Sequence, residues 1–172
     1  MIYHIKYKLV TQVKTYIFVD KDFVQCARSN IVKGLVNDIT NIVTIDLLEC
    51  EPRDLIGSPK GTEGAHRGLL YDIIIKNPNA VIVFRNYGTI IKNSQQIQKK
   101  EPEFQFRELI TPLIFLVDPY VHEMNDSFTN QKFNKENITV IFESTSCDKF
   151  SINYPTPGYY TDMIINERCT LV

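Results

Sequence analysis

Chemistry in a protein begins with side chains that can attack, take up protons or bind metal, and this chain holds few in productive spacing. The histidines are His4, His66 and His122. None sits in an H-E-x-x-H pattern, which would put two imidazoles on one helix face, so they read as surface or packing residues. Ser144-Thr145-Ser146-Cys147 offers hydroxyls and a thiol, and His122 is a candidate base for them. No spacing enforces that contact, and a strand-end loop is the simpler reading. Asp118, Glu123 and Asp126 form a possible carboxylate cluster for a hard cation, against which a solvated hairpin is the plainer account. Lys92, Lys99 and Lys100 make a weak basic patch that fits a solvated loop. The cysteines, Cys26, Cys50, Cys147 and Cys169, contain no C-x-x-C pair, which removes zinc-ribbon and thioredoxin chemistry. Their wide spacing fits reduced thiols, with a disulfide in a secreted protein as the alternative. Cys169-Thr170-Leu171-Val172 superficially fits a prenylation box, but no polybasic stretch precedes it and an ordinary terminus is expected. No catalytic residue, metal site or cofactor is expected from these patterns.

Composition narrows the partners. Lys and Arg total 19 against 20 Asp and Glu, a formal charge of −1, so no electrostatic footprint for nucleic acid or anionic membrane exists. No run approaches the roughly 18 apolar residues of a membrane span. The opening MIYHIKYKLV is broken by His4, Lys6 and Lys8 and lacks the continuous apolar core of a secretion signal. The expectation is a soluble protein of the cytoplasm or another reducing intracellular compartment. A length of 172 residues suits one domain that buries its own core.

The elements that must position any site follow from periodicity. Residues 2–9 alternate loosely, as an extra N-terminal edge strand. Four buried strands are expected at Thr15–Val19, Asn41–Asp46, Val81–Phe84 and Ile138–Phe142, each a β-branched or aromatic run. Phe23, Ala27, Ile31 and Leu35 recur every four residues, a helical stripe over 23–37. Residues 57–64, GSPKGTEG, hold three of the seven glycines and form a loop. Residues 66–76 are helical up to Asn77-Pro78. Residues 92–102 are loop, 103–117 an amphipathic helix threatened by Pro112, and 119–135 a hairpin. The segment from Tyr154 to Tyr160 is rich in proline and tyrosine and reads as irregular. Continuous apolar strands alternating with helices indicate an α/β fold, a three-layer sandwich with a mostly parallel central sheet.

The order of elements and the local sequence resemble the large subdomain of Clp-type AAA+ unfoldases. TIDLLECEPRDLIGSPKGTEG, residues 44–64, looks like the second strand and substrate-gripping G-x-x-G loop of that family. GLLYDIIIKNPNAVIVF, residues 68–84, looks like the following helix and the Walker B strand. Residues 118–145 are similar to the hairpin and sensor-1 strand. The resemblance spans about residues 15–146, is most specific over 44–84, and leaves 147–172 as a Tyr- and Pro-containing tail. It implies a P-loop NTPase topology.

Set against that family, the chemistry is missing. A phosphate loop needs glycines, whose backbone N–H groups wrap phosphate, and a lysine. After the first strand this chain reads Asp20-Lys21-Asp22-Phe23-Val24-Gln25-Cys26-Ala27, without a glycine. Walker B ends in two acids, one for magnesium and one to polarise water. Here Arg85 and Asn86 follow the strand, and the sensor-1 position falls on Thr145. The gripping loop has lost its aromatic, as Gly61-Thr62-Glu63-Gly64 offers a hydroxyl and a carboxylate. The helical lid does not fit in residues 147–172, so autonomous unfolding of clients is not expected.

The expected function is therefore a non-enzymatic protein-binding module, a pseudo-ATPase regulating or capping a partner AAA+ machine. Two alternatives stand beside it: an inhibitor or immunity-type protein that neutralises a specific enzyme, with Glu49, Glu51, Asp54 and Glu63 as an acidic face, and a divergent ATPase subunit of a chaperone ring. A protein partner is expected, an AAA+ ring, a client or a target enzyme. Candidate contact residues are the Gly61–Gly64 loop and the tail tyrosines Tyr154, Tyr159 and Tyr160, since tyrosine buries interface area at low entropic cost.

Overall fold

The computed structural model describes residues 14–19, 41–88, 112–144 and 170–171. Within them the strands are β1 (Lys14–Val19), β2 (Ile42–Asp46), β3 (Val81–Arg85), β4 (Glu123–Asn125), β5 (Lys132–Asn134), β6 (Thr139–Ser144) and β7 (Thr170–Leu171). The helices are α1 (Pro52–Ile56) and α2 (Leu69–Lys76), and residues 112–117 are also helical. The expected strand at 2–9, the helix over 23–37, the loop at 92–102 and the first part of the 103–117 helix lie outside the described residues.

Five strands form one parallel sheet in the order β2-β3-β6-β1-β7, and β4 and β5 make a separate antiparallel hairpin. The four strands expected from apolar runs are all present. Val81, Ile82, Val83 and Phe84 of β3 are buried on both faces, as an unbroken apolar run requires in a parallel sheet covered by helices. Each such side chain contributes about 1.5–3 kcal/mol on leaving water. Phe84 stacks on Phe142 of β6 at 5.4 Å, and Tyr87 tilts against Phe142 at 4.8 Å, which locks the two central strands together.

Helix α2 buries Leu70, Tyr71 and Ile74, one face at helical spacing. It starts at Leu69 rather than at 66, because Arg67 is held in a bridge to Gly57 and Gly68 serves as the extended N-cap. It ends where Asn77 turns extended before Pro78. Helix α1 was not expected. Its signal is the Glu51-Pro52-x-Asp54 start: proline at the first turn, and the Glu51 N–H donating to Asp54 Oδ2 at 2.7 Å. Pro112 stands at the first described position of the 112–117 helix, where a missing N–H costs little if the helix begins there.

One buried cation organises the lower half of the molecule. Lys135 is fully buried, and its ammonium donates to the carbonyls of Phe115, of Leu116 at 3.1 Å and of Asp118 at 2.6 Å. These carbonyls lie in the last turn of the 112–117 helix and just beyond it, where Phe115 O also accepts the Asp118 N–H and Asp118 O the Val121 N–H, so the residue after β5 caps that helix. The hairpin also packs on α2, with Tyr71 edge-on to Phe133 at 5.9 Å and its hydroxyl donating to Gln131 at 2.6 Å.

Candidate functional site

Two surfaces carry polar groups in defined geometry. The first is the carboxyl end of the sheet. β1 and β6 are neighbours, yet the chain leaves β1 for β2 at one edge and β6 for β7 at the other. Such a switch point opens a crevice outside the strand ends, where α/β sheets take ligands. Beside it, at the carboxyl ends of β2, β3 and β6, stand Asp46, Arg85, Asn86 and Glu143. Arg85 Nε lies 3.4 Å from Glu143 Oε2, with the arginine side chain 40% exposed and the glutamate 13%. Asn86 adopts φ 62°, a left-handed conformation that asparagine tolerates. Its Nδ2 donates to Asp46 Oδ1 at 2.7 Å, and the same oxygen accepts the Leu48 N–H at 2.9 Å. Both carboxylates at this edge are thus engaged by this chain's own donors. Glu143 and Asp46 were not singled out from sequence, because only the pairing of strands brings them opposite Arg85 and Asn86.

The second surface is the loop between α1 and α2. Its base is closed by the Gly57–Arg67 bridge and by the Ser58 N–H donating to His66 O at 3.0 Å, while Ser58 Oγ accepts the His66 N–H at 3.2 Å. Gly57 and Gly68 touch backbone to backbone. A methyl group at Gly68 collides with Leu55 O and meets Ile56 C at 2.6 Å, and one at Gly57 meets Gly68 N at 2.8 Å. Across this contact sits Asp126, entirely buried. Its Oδ1 accepts the Gly68 N–H at 2.8 Å, and its Oδ2 accepts the Thr129 N–H at 2.8 Å and hydroxyl at 2.7 Å. Burial by itself pushes this carboxyl up, and the donors of Gly68, Thr129 and Phe128 outweigh it and hold it below the ordinary range. The solvated-hairpin reading of Asp126 is therefore corrected. Sequence distance hid the reason, since its partner Gly68 lies 58 positions away. Glu123 is exposed as expected, and Asp118 Oδ1 accepts the Tyr120 N–H at 2.9 Å in a turn. Among the described residues no three His, Cys, Asp or Glu side chains converge on a metal-sized point.

The tip of this loop is exposed and held by its own contacts. Gly61 and Gly64 take φ of 92° and 67°. Thr62 donates its hydroxyl to Pro59 O at 2.7 Å, so that hydroxyl holds the turn rather than facing a ligand. Lys60 lies over the Phe128 ring at 5.3 Å, tying the tip to the hairpin. Glu63 is exposed. Beside the loop runs an open groove of about 790 Å³, walled by Ile56, Pro59, Pro112, Phe115, Val121 and Met124, with Arg53 and Glu123 at its rim. Phe115 is 47% exposed there.

The proposed acidic face is interleaved with basic side chains. Glu51 pairs with Arg53 at 3.3 Å, and Asp54 lies 3.6 Å from His66 Nε2. Glu49 and Glu63 are exposed. His122 meets Asn134 at 3.1 Å. Cys50 is a free thiol, pushed up to about 12 by burial and then by Asp54 and Glu51, which makes it a poor nucleophile. Of the other candidates read from the sequence, Asp20, Cys26, Thr145, Tyr154, Tyr159 and Tyr160 lie outside the described residues, as do His4, Ser146, Cys147 and the three lysines 92, 99 and 100. Thr170 and Leu171 pair with β1 in the sheet. No helix among the described residues is long and apolar enough to cross a membrane.

No protein-family model matches the chain, and no curated protein matches it in sequence. Solved structures do. The closed-state cryo-EM reconstruction of "Hsp104:ATPyS and FITC casein" aligns over 94% of this chain with a TM-score of 0.55 and 15% identity. The chain corresponds to 28% of the length of that Hsp104 chain. At such identity the likeness is one of fold alone: an α/β domain with a mostly parallel central sheet, in agreement with the architecture expected from sequence.

Proposed function

We propose that this chain is a protein-binding module on an AAA+-like scaffold that lacks ATPase chemistry, and that it regulates or caps a partner machine of the AAA+ type. The observation that carries the reading is the end of β3. Where the fold's ATPases place acids for magnesium and water, this chain has Arg85 facing Glu143 and Asn86 bonded to Asp46. A guanidinium does not ligate magnesium, and an amide is a poor general base. Polar capacity at the strand ends is taken up internally. The exposed surface with fixed shape is instead the 57–67 loop and the apolar groove beside it, which suits contact with a polypeptide. The Hsp104 structure was solved with FITC casein, and a protein ligand for this chain extends that observation by fold.

The test is calorimetry or thermal shift with ATP and ADP, with and without magnesium. A ligand at a thousand times its Kd adds about 4 kcal/mol to stability, so micromolar binding at millimolar nucleotide is readily seen. The expected outcome is no shift. A magnesium-dependent shift overturns the reading and restores a divergent ATPase. An inhibitor-type module is told apart by a tight one-to-one complex with a single enzyme, formed without a ring.

A further inference from the structure

Among the described residues no strand pairs with the outer edge of β2, and that edge is self-complementary. The Val81 N–H donates to Asn41 O and the Leu47 N–H to Arg85 O, both at 3.1 Å, so the odd-numbered residues of this strand face β3. Ile42 and Thr44 therefore turn their N–H and C=O groups outward. Asp46 closes the edge, since its carbonyl accepts the Glu49 N–H and its carboxylate the Leu48 N–H. Thr44 is exposed and Ile42 and Val43 half-buried. The run Ile42-Val43-Thr44-Ile45 carries no proline, lysine or bulge, the devices by which proteins blunt a free edge. Along it lies a groove of about 620 Å³ whose other wall is α2, with Asp72, Ile73 and Lys76.

We propose that two copies of this chain pair through this edge, antiparallel about a two-fold axis at Val43, with Ile42 opposite Thr44 of the second copy. Each such pair exchanges two backbone hydrogen bonds, four in all, and the two Val43 side chains meet on the axis as a β-branched cross-strand pair. Charge selects a second copy over an unrelated strand. α2 returns from the end of β2 to the start of β3, so Lys76 lies toward Asn41 and Asp72 one turn nearer the carboxyl end. A two-fold axis perpendicular to the sheet keeps both α2 helices on one face and reverses their direction. It sets Lys76 of each copy toward Asp72 of the other, a carboxylate that also meets Arg67 of its own chain at 3.2 Å. The pairing is isologous and closed, so it leaves no β2 edge free, and it joins two five-stranded sheets into one of ten, near the practical limit for an open sheet.

Sedimentation velocity and light scattering over a rising concentration series of the full chain test this. The expected mass climbs from 19.9 kDa toward twice that value. Thr44→Pro removes an outward N–H and no bond to β3, and stays monomeric. Because proline in a strand can also disturb folding, a charge exchange provides the independent arm. Lys76→Asp weakens association by at least about fivefold through like-charge contact, and the double variant Asp72→Lys with Lys76→Asp restores it. A wild-type chain that stays at monomer mass up to millimolar concentration overturns the proposal. So does a Lys76→Asp chain that dimerises as well as wild type, or a double variant without rescue.

Discussion

The carboxyl edge of the sheet and the loop between α1 and α2 use polar side chains differently. At the strand ends, Arg85 with Glu143 and Asn86 with Asp46 satisfy one another at a half-exposed surface. At the loop, the polar groups go inward: Asp126 is fully buried and accepts hydrogen bonds from Gly68 and Thr129, and two glycine backbones touch beneath it. A pair with one partner open to water contributes less, because water competes there, whereas a fully buried carboxylate with several donors is costly to disturb. The inward arrangement fixes an exposed loop; the outward one ties the ends of neighbouring strands to one another.

Breaking the contrast at its strongest point means Gly68→Ala. Its methyl group collides with Leu55 O and meets further backbone atoms at 2.6 and 2.7 Å, which no side-chain rotation relieves. The expected loss is about 3–5 kcal/mol by chemical denaturation. Next comes Asp126→Ala, which strands the Gly68 and Thr129 donors and is expected to cost about 2–3 kcal/mol. The same residue gives a pH signature. Its folded carboxyl lies below the usual range, so its contribution is complete above about pH 5 and is lost as the pH falls below about 4. Asp126→Asn should flatten that part of the acid-unfolding curve; an unchanged curve would show the carboxylate is not held by those donors. The smallest effect belongs to the strand ends, where Arg85→Ala should cost about 1–2 kcal/mol by chemical denaturation, since Glu143 keeps little contact with water. A loss above about 2 kcal/mol there would reverse the comparison.

Much of the fold was legible beforehand, and the particular residues explain why. The runs at 81–84 and 138–142 are almost wholly apolar, as a strand covered on both sides requires, those at 15–19 and 41–46 are rich in β-branched residues, and each is a strand. The glycines at 57, 61 and 64 marked the loop, and positive φ at all three is the reason. The hairpin near 119–135 is present as β4 and β5. Harder to read was anything resting on a distant partner. Lys135 looks like a surface lysine and Asp126 like a turn aspartate, because each is charged and flanked by polar residues. Nothing in the neighbouring sequence shows that three helix-end carbonyls or the Gly68 N–H stand waiting for them. Helix α1 is too short for periodicity to register, and only its capping pattern announces it.

By itself the sequence determined the class of fold and the four apolar strands, because periodicity and side-chain type are local properties, while β7 within the expected tail escaped it. Tertiary structure alone decided which charges are buried, which acids meet Arg85 and Asn86, that β2 is outermost among the described strands, and that the Gly61–Gly64 turn is held rather than free. Those outcomes depend on hydrogen bonds and packing between residues tens of positions apart, and no local pattern encodes the partner of a buried polar group.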